Sequence, residues 1–212
     1  MALTKITGEG VGSLDAITIG DGTAADKKIL FDGNAQDFHI GLDDSSDSLT
    51  IGLGSTLGTT SHIVIDANGH VTKPLQPAFQ AQPSSDQTNM GDNTVIALGT
   101  ERFDQNGDFA SNTFTAPVTG KYLLSFHGRI DDIDSAASWS RIEIITSNKD
   151  YKSSIIDPRA FDTDAVYWNF AQTVLADMDA NDTAFIQFGK SGGAAQADVN
   201  QGDTFFSGFL VC

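Results

Sequence analysis

Short apolar runs alternate with polar positions through most of the chain, and turn-forming residues break them every few positions. Phe38, Ile40 and Leu42 alternate with His39 and Gly41, which is the period of a β-strand. In the C-terminal part the same pattern predicts strands at 94–98, 120–126, 141–146, 183–188 and 204–211. Between them fall Asn106-Gly107, Ser147-Asn148, Asp157-Pro158, Ser191-Gly192-Gly193 and Gln201-Gly202-Asp203, which are turn signals. No segment sustains the apolar period of a helix. Many short strands in a row point to an antiparallel sandwich or jelly roll.

The N-terminal part echoes itself. Ile17-Thr18-Ile19-Gly20-Asp21-Gly22 returns as Leu49-Thr50-Ile51-Gly52-Leu53-Gly54, and Ile29-Leu30-Phe31-Asp32-Gly33-Asn34 returns loosely as Ile63-Val64-Ile65-Asp66-Ala67-Asn68-Gly69. A hairpin repeat and a coincidence among glycine-rich turns are both open readings. Residues 1–78 hold two of the 19 aromatic residues, Phe31 and Phe38, and 11 of the 21 glycines. So few large side chains do not make a core, so these strands are expected to bury their apolar face on the same segment of neighbouring subunits. Lys73-Pro74-Leu75-Gln76-Pro77 carries two prolines that interrupt regular structure. The expected division is a β-hairpin repeat segment at 1–72, a linker at 73–78 and an aromatic-rich head at 79–212.

Composition narrows the function. Among 212 residues, 12 Lys and Arg face 28 Asp and Glu, a formal net charge of −16. Such a surface repels phosphate backbones and anionic headgroups, so neither nucleic acid nor membrane is an expected partner. The one cysteine, Cys212, excludes an internal disulfide and a cysteine-built zinc site. No apolar run approaches the length of a membrane-spanning helix, and residues 1–22 lack the charged-then-apolar pattern of a signal peptide.

Three motifs in order carry a resemblance. Pro77-Ala78-Phe79-Gln80-Ala81 opens the region. Phe103-Asp104-Gln105-Asn106-Gly107-Asp108-Phe109 follows, and then Phe114-Thr115-Ala116-Pro117-Val118-Thr119-Gly120-Lys121-Tyr122-Leu123-Leu124-Ser125-Phe126. Thr204-Phe205-Phe206-Ser207-Gly208-Phe209-Leu210 closes it. Residues 77–212 thereby resemble a C1q-type globular domain, a relative of the tumour necrosis factor fold. Leu124 departs from the family, which often has an aromatic residue there. The resemblance implies an all-β, ten-stranded antiparallel jelly roll that assembles as a homotrimer. Tyr122, Leu124 and Phe126 are expected on one inward face, and Phe79, Phe109, Phe114, Phe205 and Phe209 in the interior. More loosely, Asp37-Phe38-His39-Ile40-Gly41-Leu42-Asp43-Asp44 and the 49–54 run resemble the Gly- and Asp-rich repeats ahead of receptor-binding heads in bacteriophage fibres.

Catalytic patterns are weak. The histidines, His39, His62, His70 and His127, have no metal-pair spacing and read as solvated or strand-face residues. Gly189-Lys190-Ser191-Gly192-Gly193 fits Gly-x-Ser-x-Gly, but no helix follows it, so a turn is expected in place of a nucleophile elbow. Asp131, Asp132 and Asp134, with Asp177, Asp179 and Asp182, are oxygen-rich enough for calcium, against the alternative of solvated acidic loops. The 177–182 run lacks the central glycine and closing glutamate of a calcium loop, and Asn181-Asp182 matches a family turn. No other cofactor is expected. Trp139, Tyr151, Tyr167 and Trp168 sit among polar residues and suit stacking on a sugar or a protein partner, against packing between subunits.

These readings converge on a non-enzymatic structural protein of a phage virion, a tail or capsid fibre, knob or decoration. It would display a trimeric head on the particle's outer surface for attachment to a host glycan or protein, or for particle stabilisation. The N-terminal segment would join other virion proteins. A secreted or surface C1q-like lectin or adhesin of a bacterium is the alternative.

Overall fold

The structure, a computed structural model, describes residues 15–212. The first part of the expected repeat segment, and most of the stretch read for a signal peptide, lie outside the described residues. The chain divides into two compact units, 1–74 and 75–212.

The first unit is an antiparallel meander in which each strand pairs with the next. Its strands are β1 (Lys27–Phe31), β2 (Phe38–Asp43), β3 (Ser48–Leu53), β4 (Ser61–Ile65) and β5 (Val71–Thr72). The echo at 17–19 lies in no strand, whereas its counterpart at 49–53 is β3. The 29–34 and 63–69 echoes begin in β1 and β4, at 29–31 and 63–65, and run on into the turns that follow. The sheet is inverted relative to the usual soluble pattern. His39, Gly41, Asp43, Ser48, Thr50 and Gly52 share the face that is buried. The chain's own loop 54–60 folds over this face and seats Leu57 there. His39 is therefore fully enclosed: of its two readings, solvated or strand-face, the strand-face one holds and the solvated one does not. Its Nδ1 bonds Gly54 O at 2.8 Å, and its Nε2 has no partner. Glycine at 52 makes this possible, because a Cβ there would stand 2.7 Å from His39 Nε2 and 2.3 Å from Thr60 O. The other face carries the large apolar side chains, and most of them are exposed.

The second unit is the jelly roll. Its strands are β6 (Ala78–Gln82), β7 (Gln87–Met90), β8 (Thr94–Val95), β9 (Thr100–Asp104), β10 (Phe109–Ala110), β11 (Thr113–Thr115), β12 (Gly120–Ile133), β13 (Trp139–Thr146), β14 (Asp150–Ile156), β15 (Ala165–Met178), β16 (Thr183–Ser191), β17 (Ala197–Val199) and β18 (Phe205–Leu210). A six-stranded sheet runs β10-β11-β16-β13-β14, with β8 also on β16. A seven-stranded sheet runs β7-β17-β12-β18-β6-β9, with β15 on the free side of β12. All pairings are antiparallel. Several of the thirteen segments are only two or three residues long, so the expected ten-strand plan is subdivided in detail and retained in layout.

The core lies between the two sheets. Tyr122, Leu124 and Phe126 of β12 all point into it and are fully buried. Phe79 sits at the centre of an aromatic cluster, its ring centroid 4.7 Å from Phe114, 5.0 Å from Phe109 and 5.0 Å from Phe206. Here the register of the last strand corrects the sequence reading. Strand alternation turns Phe206, Gly208 and Leu210 inward, so Phe205 and Phe209 face outward, 37% and 45% exposed. Gly208 is required at the crossing, because a Cβ would come within 2.8 Å of the Phe79 ring.

Asp104 organises the turn that leads to Phe109, accepting hydrogen bonds from the backbone N–H groups of Gly107, Asp108 and Phe109. Its neighbour Asp108 is less well served: Oδ2 is buried without a partner. Burial, and secondarily the Asp104 charge, push the Asp108 carboxyl above its ordinary range. A carboxyl raised in the folded state costs stability at every pH where it is ionised, and the cost is relieved as pH falls through its folded pKa. Asp108→Asn is therefore expected to raise the melting temperature at pH 7 by a few degrees, and the gain should shrink in acid. Equal melting temperatures at pH 7 would show that Asp108 carries no penalty.

Candidate functional site

The two ends of the jelly roll are built differently. At one end the chain begins and finishes the head, since Ala78 pairs with Phe209 and Leu210 N–H donates to Pro77 O at 3.1 Å. The turns at 105–108, 116–119, 147–149 and 179–182 lie at that same end, by the registers of β6, β12, β13 and β16. The opposite end gathers the segments 134–138, 157–164 and 192–203.

Those far-end segments are tied together. Asp164 accepts from Ser135 N–H at 2.8 Å, from Ser135 Oγ–H at 2.7 Å and from Gln196 Nε2 at 2.8 Å. Donation from the Ser135 backbone and hydroxyl holds the Asp164 carboxyl below its usual range. Asp134 accepts from the Ala136 and Ala194 backbones. Lys190 is buried, and its Nζ donates to Gly193 O at 3.0 Å and Ala194 O at 2.6 Å. The Gly-x-Ser-x-Gly run thus straddles the end of β16 and a turn, with Gly192 and Gly193 at positive φ as the turn requires.

On the outer face near this end, His127, Arg129, Tyr167, Asn169, Gly202, Asp203 and Phe205 line a shallow cleft of about 570 Å³. The outward side of β12 supplies His127 and Arg129, and β15 presents Tyr167 opposite Asp131. Tyr167 is 68% exposed. The Arg129 guanidinium lies 5.8 Å from its ring centre, grips Asp131 with Nε and a terminal nitrogen at 2.8 and 2.9 Å, and reaches Asp203 at 2.8 Å. Hydrogen bonding to Asp131 raises the Arg129 pKa further. The His127 ring stacks on Phe205, with centroids 5.3 Å apart. Three rings, Tyr167, His127 and Phe205, and a guanidinium held by carboxylates make a surface whose chemistry suits planar or sugar-like ligands. They do not present a nucleophile paired with a base.

The structure separates the sequence candidates. Tyr167 lines the cleft. Trp168 takes the other side of β15 and leans on Phe161, centroids 5.6 Å apart. Trp139 is half-buried with the Arg141 guanidinium 4.1 Å over its ring, and Arg141 in turn pairs with buried Glu143. Tyr151 lies in β14, packed partly against the core, and not in the turn that its neighbours Asn148, Lys149 and Asp150 suggest. The acidic candidates fall at both ends of the roll. Asp131 is engaged with Arg129, Asp132 adopts positive φ, and Asp134 caps its own turn. At the other end Asp177 pairs with Lys121, Asp179 accepts from Thr119, and Asp182 accepts from Asn148 at 2.7 Å and from Asp179 N–H at 2.8 Å. Among the described residues no three His, Cys, Asp or Glu side chains are grouped to hold a metal ion.

The sequence reading missed Arg129, Asp203 and Phe205 in the cleft. Extending the 120–126 alternation to Ile133 would have put Arg129 on the outward face. Phe205 was hidden by its adjacent twin, Phe206, because two consecutive phenylalanines leave the strand's inward parity open.

A model of the C1q domain family matches residues 78–211. Among solved structures the chain is similar to the globular domain of zebrafish complement 1qA protein, with 17% identity and a TM-score of 0.49, covering 65% of this chain and 98% of that one. It is also similar to murine APRIL in crystals at pH 8.5 and pH 8.0. The identities are 10% and 11% and the TM-scores 0.46 and 0.47, with 64% of this chain and 99% of each APRIL chain covered. A search of curated proteins gives no match.

Proposed function

This chain belongs to the C1q domain family, and on that premise we propose that it is a non-enzymatic structural protein of a bacteriophage virion whose trimeric head serves attachment to a host surface. C1q and tumour necrosis factor domains are generally binding modules and form homotrimers. The observation that carries the attachment reading is the segregation of the two ends of the head. One end is committed to the path of the chain, and the other collects cross-linked surface segments beside a cleft with an exposed tyrosine. The outer face supports the trimer, because Leu123 pairs with both Leu175 and Phe209 in one outward apolar row. A separate antiparallel meander precedes the head and supplies a part that can join a particle. Many copies on one particle would multiply a weak single-site affinity.

Light scattering on the full chain at micromolar concentration should give three times the chain mass. An antibody to the chain should label purified virions, and Tyr167→Ala should reduce host attachment while leaving the melting temperature unchanged. Labelling of bacterial cell surfaces without phage would replace the virion reading with that of a bacterial adhesin.

A further inference from the structure

We propose that the exposed apolar face of the N-terminal sheet is a second trimer interface, in which three copies of this face pack against one another to form a shared core. This rests on the trimeric reading of the head. The cross-strand registers align Ile29, Ile40, Ile51 and Ile63 in one row, with Phe31 beside Phe38 in the next. Ile29, Phe31, Phe38 and Ile40 are exposed, and Ile51 and Ile63 are half-buried. The chain's own covering loop is already spent on the opposite face, where Leu57 is buried. Nothing else within the described part of this unit is left to cover the isoleucine row.

The occupant is a copy of the same chain for two reasons. First, the face offers a foreign partner almost no charge to recognise. Its one charged side chain, Lys27, lies at the edge and is paired with Asp21 at 3.0 Å, in a protein whose net charge is −16. Rows of isoleucine and phenylalanine are complementary to themselves, as a symmetric assembly needs. Second, heads that associate as trimers carry three copies of this face on a short tether, so the faces meet at high effective concentration. An apolar patch of this continuity is not left in water by a soluble assembly.

The test uses the full chain with Cys212→Ser, to which Ile40→Cys is added at the centre of the row. Leu30→Cys, across from His39 on the opposite face, is the control. After oxidation with diamide, Ile40→Cys should move roughly two chains in three to a covalent dimer on a denaturing gel, because a disulfide joins only pairs within a threefold set. Its native mass should stay that of a trimer, and Leu30→Cys should stay monomeric on the gel. A native trimer in which Ile40→Cys does not cross-link, or cross-links no better than Leu30→Cys, overturns the shared core. Cross-linking that doubles the native mass places the contact between trimers and overturns it as well. A parent protein that is monomeric in light scattering refutes the trimeric head, an outcome distinct from either of these.

Discussion

Tyr122→Ala is expected to destabilise the head by roughly 3–5 kcal/mol, the range for truncating a buried aromatic side chain. In a domain of this size that corresponds to a fall in melting temperature of roughly 10–20 °C. Tyr122 has no exposure, and its ring lies 5.3 Å from that of Phe114. It stands on β12 between Ala176 on one side and Leu210 on the other, so the cavity would open where two strand pairings meet. Its phenol donates to Val118 O at 2.8 Å, and truncation also leaves that carbonyl without its partner. Tyr122→Phe removes only the hydrogen bond and should cost about 1 kcal/mol. Tyr151→Ala, at a ring only partly packed on the core, should cost less than Tyr122→Ala. Differential scanning calorimetry of the three variants orders them directly. If Tyr151→Ala melted below Tyr122→Ala, the inward assignment of β12 would be wrong.

The second large effect is the complete loss of folding in the isolated N-terminal unit. Residues 75–212 should fold and trimerise alone, because they hold the aromatic cluster around Phe79 and both sheets of the roll. Residues 1–74 alone should show no cooperative melt. Fixing each residue costs about 1–2 kcal/mol of backbone entropy, and this unit has one sheet whose apolar face is uncovered. Leu57 is its one large hydrophobic side chain that is buried among the described residues. Circular dichroism at micromolar concentration checks both halves. A sharp thermal transition in the 1–74 piece would contradict the dependence on the head.

Much of the head was legible because its strands have one clean inward parity. Tyr122, Leu124 and Phe126, with Phe79, Phe109 and Phe114, read as core in the sequence and are core in the structure. β15 was not read, although it is among the longest strands. Its inward side mixes Phe170 and Met178 with Gln172, and its outward side carries Leu175, so neither face is purely apolar. A two-residue period fades when an outward face is itself adapted for contact. The same effect misplaced Phe205 and Phe209. In the N-terminal unit the sequence showed alternation at 38–42 but not which parity is covered, because a polar face under a loop looks like a solvent face. His39 is the instance: alternation placed it opposite Ile40, and only the path of 54–60 shows it enclosed. The cleft depends on Arg129 and Asp203, which are distant in sequence and are brought together by the β12–β18 ladder.

Because β6 and β18 are neighbours, the head behaves as a graftable cassette. The carbonyl of Pro77 and the amide of Leu210 are 3.1 Å apart, so a host fold would need to open no wider than an ordinary surface turn to receive everything between them. The same proximity would let a short peptide close the head into a ring, with new termini cut in any exposed loop. The module could therefore be exchanged whole between proteins, inserted internally or appended at an end, without redesigning the protein that carries it.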